Sequence, residues 1–174
     1  MLRSLIADDA PTLFRIRSDA RVMQHIGRPR ALDMKDAEEL IERVLIELRE
    51  NNGITCAKIL EPDDTLIGTI GYYRLQKTHH WGEVGYMLHS QHWRKGIMSE
   101  ALRVAAQCGF RRFGFHRIEA ITDPRNEASN ALLIACGFQR EGLFRENCRW
   151  NEKFIYSAVY SLLTAQMDHP SRTR

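Results

Sequence analysis

No apolar run in this 174-residue chain approaches the ~18–20 residues that a membrane-spanning helix requires. The opening residues, Met-Leu-Arg-Ser-Leu-Ile-Ala-Asp-Asp, carry no apolar stretch of secretory length, so a cytoplasmic location without a membrane partner is expected. Cysteine is scarce. The four present, Cys56, Cys108, Cys136 and Cys148, lie far apart and none forms a Cys-x-x-Cys pair. Buried free thiols in a reducing compartment are therefore expected, with neither a disulfide framework nor a metal. Neither a Gly-x-x-x-x-Gly-Lys-Ser/Thr loop nor a Gly-x-Gly-x-x-Gly fingerprint occurs, which disfavours a nucleotide-phosphate enzyme and a dinucleotide fold. Internal repeats, low-complexity tracts and interdomain linkers are also missing.

What remains is an ordinary globular composition, 44% apolar and 27% charged, at a length that buries a core without metal or disulfide support. One domain over residues 1–168 is expected, followed by a disordered basic tail at 169–174. The net charge of +3 is spread along the chain, so it permits an anionic ligand without specifying one. No nucleic-acid module is recognisable, and no nucleic-acid partner is expected.

Periodicity supplies the elements. A short strand at 2–6 precedes a helix near Pro11, with Asp8 or Asp9 as its cap. A second short segment covers 20–26. Asp33 is the expected N-cap of the longest helix, whose buried stripe is Leu40, Ile41, Val44, Leu45 and Leu48, ending at Asn51-Asn52-Gly53. Strands at 54–60 and 66–75 form a hairpin, and Gly68 and Gly71 point to a bulge or a close backbone approach in the second. His79 and His80 are adjacent, lack a third ligand nearby and read as a solvated loop. A strand at 117–122 leads to Asn126, the cap of a short helix with Leu132, Ala135 and Cys136 facing inward and Gly137 at its end. Strands at 138–148 and 154–163 close the chain, the last with Phe154, Tyr156, Ala158, Tyr160 and Leu162 on one face. The fold class is α/β (α+β), with a mixed, mostly antiparallel sheet of six or seven strands flanked by helices.

The chain is organised around Glu83-Val-Gly-Tyr-Met-Leu-His-Ser-Gln-His-Trp-Arg-Lys-Gly-Ile-Met-Ser99. Residues 83–88 alternate as a strand, with Val84, Tyr86 and Leu88 on one face and Glu83, Gly85 and Met87 on the other. A polar loop follows, and a helix begins close to Gly96. A helix N-terminus offers unpaired N–H groups and a dipole that favours negative charge. Arg94 and Lys95 add positive charge, Gly96 admits close approach, and Ser99 is an extra donor. The stretch reads as a phosphate or pyrophosphate site, or else as a basic loop that happens to precede a helix.

The order of these elements resembles the GNAT superfamily of acetyl-CoA-dependent N-acetyltransferases, and within it the RimJ/RimL-type branch. The resemblance rests on Ile67-Gly-Thr-Ile-Gly71, Glu83-Val-Gly-Tyr-Met-Leu88, Trp93-Arg-Lys-Gly-Ile-Met-Ser-Glu-Ala101, Asn126-Glu-Ala-Ser129 and Cys136-Gly-Phe138. It implies a splayed central parallel pair of strands and acetyl-CoA as co-substrate. Backbone amides of Arg94, Lys95, Gly96, Ile97 and Met98 would hold the CoA pyrophosphate, with Ser99 beside them. Two departures from the family pattern are Trp93 for Gln/Arg and Met98 for a small residue, the latter narrowing the approach. The pantetheine arm would bond strand-fashion to Met87, Leu88 and His89, and Asn126 and Ser129 match further contacts to it.

A primary amine is almost wholly protonated at pH 7, so attack on a thioester needs a base. Glu83 is the candidate base, acting through water; its alternative is a surface carboxylate beside Arg74 or Lys77. The resemblance puts an oxyanion donor near Leu88. The tyrosine that many members use as acid, seven residues after the Asn, is Leu133 here, which leaves Ser129 as the nearby hydroxyl and Tyr156 as a packing residue. The acceptor is an amine, either a peptide N-terminus such as that of a ribosomal protein or a small molecule. Arg28, Arg30 and Arg145 favour an acidic acceptor or are solvated charges. The rival reading is a non-catalytic CoA or acyl-CoA sensor or interaction module. A homodimer is compatible with either, with no feature pointing to it.

Overall fold

The structure, a computed structural model, describes residues 1–50, 53–60 and 64–168. In chain order they form β1 (Leu2–Ser4), α1 (Ala10–Ser18), α2 (Ala20–Met23), α3 (Met34–Arg49), β2 (Ile54–Leu60), β3 (Thr65–Gln76) and β4 (Trp81–Leu88). Then come α4 (Ile97–Arg111), β5 (Arg117–Thr122), α5 (Glu127–Ala135), β6 (Gln139–Trp150), β7 (Lys153–Leu163) and α6 (Thr164–Asp168). The seven strands form one sheet in the order β1-β2-β3-β4-β5-β7-β6, with β4 and β5 parallel. This is the mixed, mostly antiparallel α/β sheet expected from the sequence. The expected stop at Asn51-Asn52, most of the β2–β3 turn and the basic tail lie outside the described residues. No helix among the described residues is long and apolar enough to cross a membrane. The backbone clusters into two compact units, Met1–Arg74 with Gly85–Ile97, and Leu75–Val84 with Met98–Arg174.

In the first unit, α3 starts where the sequence predicts. The Asp33 carboxylate accepts the Asp36 N–H at 3.1 Å, and Asp36 accepts the Leu32 N–H at 2.6 Å, so two orphan donors of the helix entry are satisfied. The buried face of α3 is Ala37, Ile41 and Val44, which pack with Leu13 and Ile16 of α1 and Leu66 of β3; Leu40 and Leu45 are only half-buried. The cap expected at Asp8 or Asp9 is absent. The Asp9 carboxylate is 5% exposed and is gripped by both terminal nitrogens of Arg3 at 2.8 Å, with the Ile6 N–H at 2.9 Å. Burial pushes this carboxyl up, but the Arg3 hydrogen bonds and the Ile6 amide outweigh it and hold it below the usual range. A buried carboxylate takes the cation on β1 in preference to an exposed helix end.

The bulge suggested by Gly68 and Gly71 lies at Ile67. Lys58 pairs with Gly68 and Ile59 with Leu66, which leaves Ile67 without a partner on β2. Its carbonyl accepts instead the His89 N–H at 2.8 Å. At Gly68 an added Cβ would stand 2.5 Å from the Met87 carbonyl oxygen, so β3 approaches the end of β4 more closely than any side chain allows. Gly68→Ala must separate two backbones. It should lower stability by about 1–3 kcal/mol, measured as a reduced urea midpoint.

In the second unit, the parallel ladder is three pairs long: Trp81, Gly82 and Glu83 face Arg117, Ile118 and Glu119. β5 pairs antiparallel with β7 along its whole length. The Asp123 carboxylate accepts the Arg125 N–H at 2.8 Å, its carbonyl accepts the Asn126 N–H at 2.9 Å, and Asn126 caps α5 by accepting the Ser129 N–H at 3.1 Å. Gly137, at φ 91°, closes the helix as the sequence predicts. Gly137 and Phe138 donate to the carbonyls of Ile134 and Leu133 at 3.0 Å. The expected inner face of α5 is corrected: Leu133 is fully buried, while Ala135 is exposed.

The face expected to be buried along β7 is buried only from Ala158 onward, and there the opposite face is buried as well. Ser157 to Leu162 are buried continuously where β7 lies between β5 and β6. Phe154 and Tyr156 are 62% and 38% exposed because β5 pairs only from Ala158 onward, so Tyr156 is not a packing residue. His80 is left-handed at φ 53°, its Nδ1 is 3.2 Å from the Gly114 carbonyl, and no metal-binding cluster occurs among the described residues.

Candidate active site

The end of β4 is built by backbone parity. Successive residues of a strand turn their N–H and C=O groups to opposite edges. The Met87 carbonyl faces β3 at Gly68, and the His89 N–H faces β3 at Ile67, so the Leu88 groups are turned to the other edge. On that edge the ladder with β5 has already ended at Glu83. The Leu88 carbonyl accepts the indole N–H of Trp93 at 2.8 Å. Of the three residues expected to bond an extended ligand, His89 therefore spends its amide on Ile67. The Leu88 N–H is the donor that points past the end of the ladder.

The loop after Leu88 is held by groups that no local sequence pattern announces. The Asp19 carboxylate accepts the Ser90 hydroxyl at 2.7 Å and the Arg21 N–H at 2.9 Å, while Arg21 also donates to the Ser90 oxygen at 2.8 Å. The Arg21 and Ser90 hydrogen bonds hold the Asp19 carboxyl well below the usual carboxylate range. A 3-10 turn at Ser90–His92 follows, in which the His89 ring accepts the Gln91 N–H at 3.2 Å. His89 and His92 meet edge to face at 6.0 Å, and burial, then Lys95 and His89, push the His92 imidazole below its ordinary value.

Beyond Trp93 the backbone turns left-handed twice, at Arg94 (φ 59°) and Gly96 (φ 74°), before α4 begins at Ile97. Such a turn directs amides into an anion-binding concavity, and a non-glycine residue with positive φ stores strain of the kind found at ligand sites. Arg94, Lys95 and Gly96 are exposed, and a Cβ at Gly96 would meet no protein atom within 4 Å. Packing thus leaves this position open on its outer side. Ile97 and Ser99 are half-buried. Met98 is 8% exposed, so its side chain is sunk in the protein and does not narrow the loop, contrary to the expectation from its size.

Glu83 is half-buried on β4, in parallel register with Glu119. Glu119 is engaged by the Arg117 Nε at 2.7 Å, and the other nitrogens of Arg117 reach Glu141, whose carboxylate also accepts the Ser161 hydroxyl at 2.6 Å. Arg117, then Ser161, hold the Glu141 carboxyl down at about 2. Asn126 and Ser129 stand together at the start of α5. The far end of that helix meets α4: the Cys136 thiol is 3.7 Å from the Ser99 carbonyl, and Arg103 donates to the Ala135 carbonyl at 3.1 Å. Seven residues of helix separate Ser129 from Cys136, roughly 10 Å, so Ser99 and Ser129 are not neighbours.

Local parity and turn chemistry signalled Leu88, Gly96 and Asn126. Tyr73, whose ring lies 2.8 Å from where a Gly85 Cβ would stand, and the Asp19–Ser90 clamp carried no signal, because their partners are 12 and 71 residues away.

A strand whose parallel ladder stops short, followed by a left-handed turn at a helix N-terminus, makes a strand–loop–helix junction in an α/β protein, a geometry whose free amides suit an anion. The model of the Acetyltransferase (GNAT) domain matches residues 1–139, and the chain belongs to that family: it is an acetyltransferase. Similar proteins include the uncharacterized N-acetyltransferase YoaA of Bacillus subtilis (strain 168), 34% identical over 94% of this chain and 92% of the relative. The fold is also that of the ribosomal-protein-S5-alanine acetyltransferase from Vibrio fischeri, at 25% identity and TM-score 0.81, covering 93% of this chain and 91% of that one. A spermidine N-acetyltransferase from Vibrio cholerae, solved in complex with CoA and spermine, superposes with TM-score 0.85 at 18% identity, covering 97% and 98% of the two chains.

Proposed function

We propose that the protein moves an acetyl group from acetyl-CoA to a primary amine by direct attack in a ternary complex, as a single cytoplasmic domain of the RimJ/RimL-type branch. The observation that carries this reading is the Leu88 N–H turned past the end of the parallel ladder, six residues ahead of the left-handed turn at Arg94. The amides of Arg94 to Met98 and the charges of Arg94 and Lys95 hold the pyrophosphate. Leu88 bonds the pantetheine arm along the free edge of β4, while the backbone groups of Met87 face β3, and Asn126 contacts the same arm from α5.

The chemistry then divides among the chain's own groups. Glu83 takes a proton from the ammonium through water, which frees the nitrogen lone pair to attack the thioester carbon. The Leu88 N–H stabilises the negative charge that develops on the carbonyl oxygen. As the C–N bond forms and the C–S bond breaks, the sulfur leaves as thiolate, and Ser129 is the hydroxyl assigned to return a proton to it. The acceptor amine is a peptide N-terminus or a small molecule.

The test is the thermal midpoint with acetyl-CoA, CoA, ATP and NADH, each at the same concentration. A ligand at about a hundred times its Kd adds roughly 2.7 kcal/mol, a shift of several degrees. Acetyl-CoA and CoA should raise the midpoint, and ATP and NADH should not. A midpoint indifferent to both coenzyme forms overturns the reading. Gly96→Ala sharpens the test: forcing a Cβ into a left-handed position costs about 1–2 kcal/mol in the free protein. The added methyl, which meets no protein atom within 4 Å, stands in the path of the pyrophosphate. Acetyl-CoA affinity, measured by calorimetric titration, should fall at least tenfold.

A further inference from the structure

The cross-strand row that contains Glu83 lies wholly in the second unit and carries charge that the transfer chemistry has not used. Glu83 of β4 is in register with Glu119 of β5, and Glu119 is in register with Ser161 of β7. Residues in register on adjacent strands turn their side chains to the same face, about 4.8 Å apart at the backbone. Arg117, two residues before Glu119, shares that face. The opposite face carries Ile118, Ala120 and Leu162, which are buried.

A single guanidinium serves two carboxylates in this row. The Arg117 Nε–H donates to Glu119 at 2.7 Å, and one terminal nitrogen donates to Glu141 at 2.7 Å. The register of β6 on β7 shifts between Arg140 and Gly142, so Glu141 sits in the irregularity and reaches Arg117 and the Ser161 hydroxyl. Two carboxylates and one guanidinium leave a net charge of −1. The member in register with Glu83 is itself a carboxylate, and the side chains of Arg117 and Glu119 are only 24% and 21% exposed, so water screens them in part.

The other ionisable groups on the neighbouring strand and turn are Tyr73 and Arg74 of β3, with Lys77, His79 and His80 of the turn into β4. The cations among them are exposed, and all are common to the variants compared below, so they cancel from the comparison. A carboxyl group beside a second carboxylate holds its proton more tightly, because ionising both on one face costs repulsion. A general base works best when its proton affinity approaches the working pH, above the ordinary range of a carboxylate.

We propose that Glu119, held by Arg117, is a positioning residue for the transfer: its charge, one strand away on the same face, raises the proton affinity of Glu83 so that Glu83 can take the proton of an ammonium. The inference deepens the reading of Glu83 as the base and rests on it, but its electrostatic half is measured without turnover.

The experiment is a pH titration of the Glu83 carboxyl carbon by NMR in the full chain carrying isotope-labelled glutamate, with the resonance identified by its loss in Glu83→Gln. Glu119→Gln removes the charge but keeps an oxygen for the Arg117 Nε–H. The Glu83 midpoint should then fall by about half a pH unit or more. Glu119→Asp keeps the charge and should fall by less than half as much. If Glu119→Gln does not fold, Glu141→Gln on the edge strand removes one negative charge from the same cluster and should also lower the midpoint. A smaller fall or a rise in Glu119→Gln, an equal fall in Glu119→Asp, or no fall in the substitute Glu141→Gln overturns the proposal. The acid limb of kcat/KM, read with spermidine and with a serine-initiated peptide, should move with the NMR midpoint. An NMR shift with an unmoved kinetic limb removes the positioning role. Failure of the transferase reading looks different: neither acceptor turns over and coenzyme leaves the thermal midpoint unchanged, while the Glu83 titration still responds to Glu119.

Discussion

Glu83→Gln is expected to lower kcat by about 10²–10⁴, the range a positioned general base contributes, while acetyl-CoA affinity stays within about twofold of the parent. The amide keeps the size and hydrogen-bonding reach of the carboxylate but accepts no proton. Glu83 is half-buried in register with Glu119, whose carboxylate is engaged by Arg117, so Glu119 is not a free substitute. The wild-type profile of kcat/KM should rise with pH as the base and the amine lose their protons. In the variant, the limb that reports the carboxylate should vanish and the limb set by the amine should stay. Steady-state rates with thiol detection, combined with a coenzyme titration, separate the outcomes. A variant with unchanged kcat would remove Glu83 from the mechanism, and a variant that no longer binds acetyl-CoA would make it a structural residue.

The second large effect is on stability. Leu133→Ala should cost about 2–5 kcal/mol. At roughly 2–4 °C per kcal/mol for a chain of this size, the thermal midpoint should fall by about 5–20 °C. Leu133 is fully buried, and its carbonyl accepts the Phe138 N–H that closes α5. Loss of the side chain leaves a cavity beneath the helix that carries Asn126 and Ser129. Thermal melts in the presence and absence of acetyl-CoA check it. A drop of less than a degree would show that this helix contributes little to the fold. The same position bears on the reaction, because the family resemblance puts a tyrosine there. Leu133→Tyr should destabilise by about 1–3 kcal/mol through overpacking and raise no rate, since a fully buried site has no room to present a phenol to a ligand.

Much of the fold was legible because it depends on neighbours in sequence. The cap at Asp33 needs only Asp36, the end of α5 needs only Gly137 and Phe138, and the alternation of β4 is written in eight consecutive residues. The readings that failed required knowledge of a distant partner. Asp9 looked like a helix cap until the cation of β1 claimed it, and Tyr156 looked like a packing residue until the end of the β5–β7 pairing left it exposed. Met98 was judged by its volume, yet its effect depends on direction, and it points into the protein.

The sequence by itself determined the strand–loop–helix stretch from Glu83 to Ser99, the turn glycine at 96, and the family to which these belong. Each follows from dihedral preference, periodicity or order along the chain. Only the tertiary structure decided which backbone groups of that stretch are spent and which are left. Ile67 takes the His89 amide, Trp93 takes the Leu88 carbonyl, and Tyr73 covers Gly85. Hydrogen-bond saturation and the summing of charge are properties of groups close in space, and no period in the chain encodes which distant segments meet.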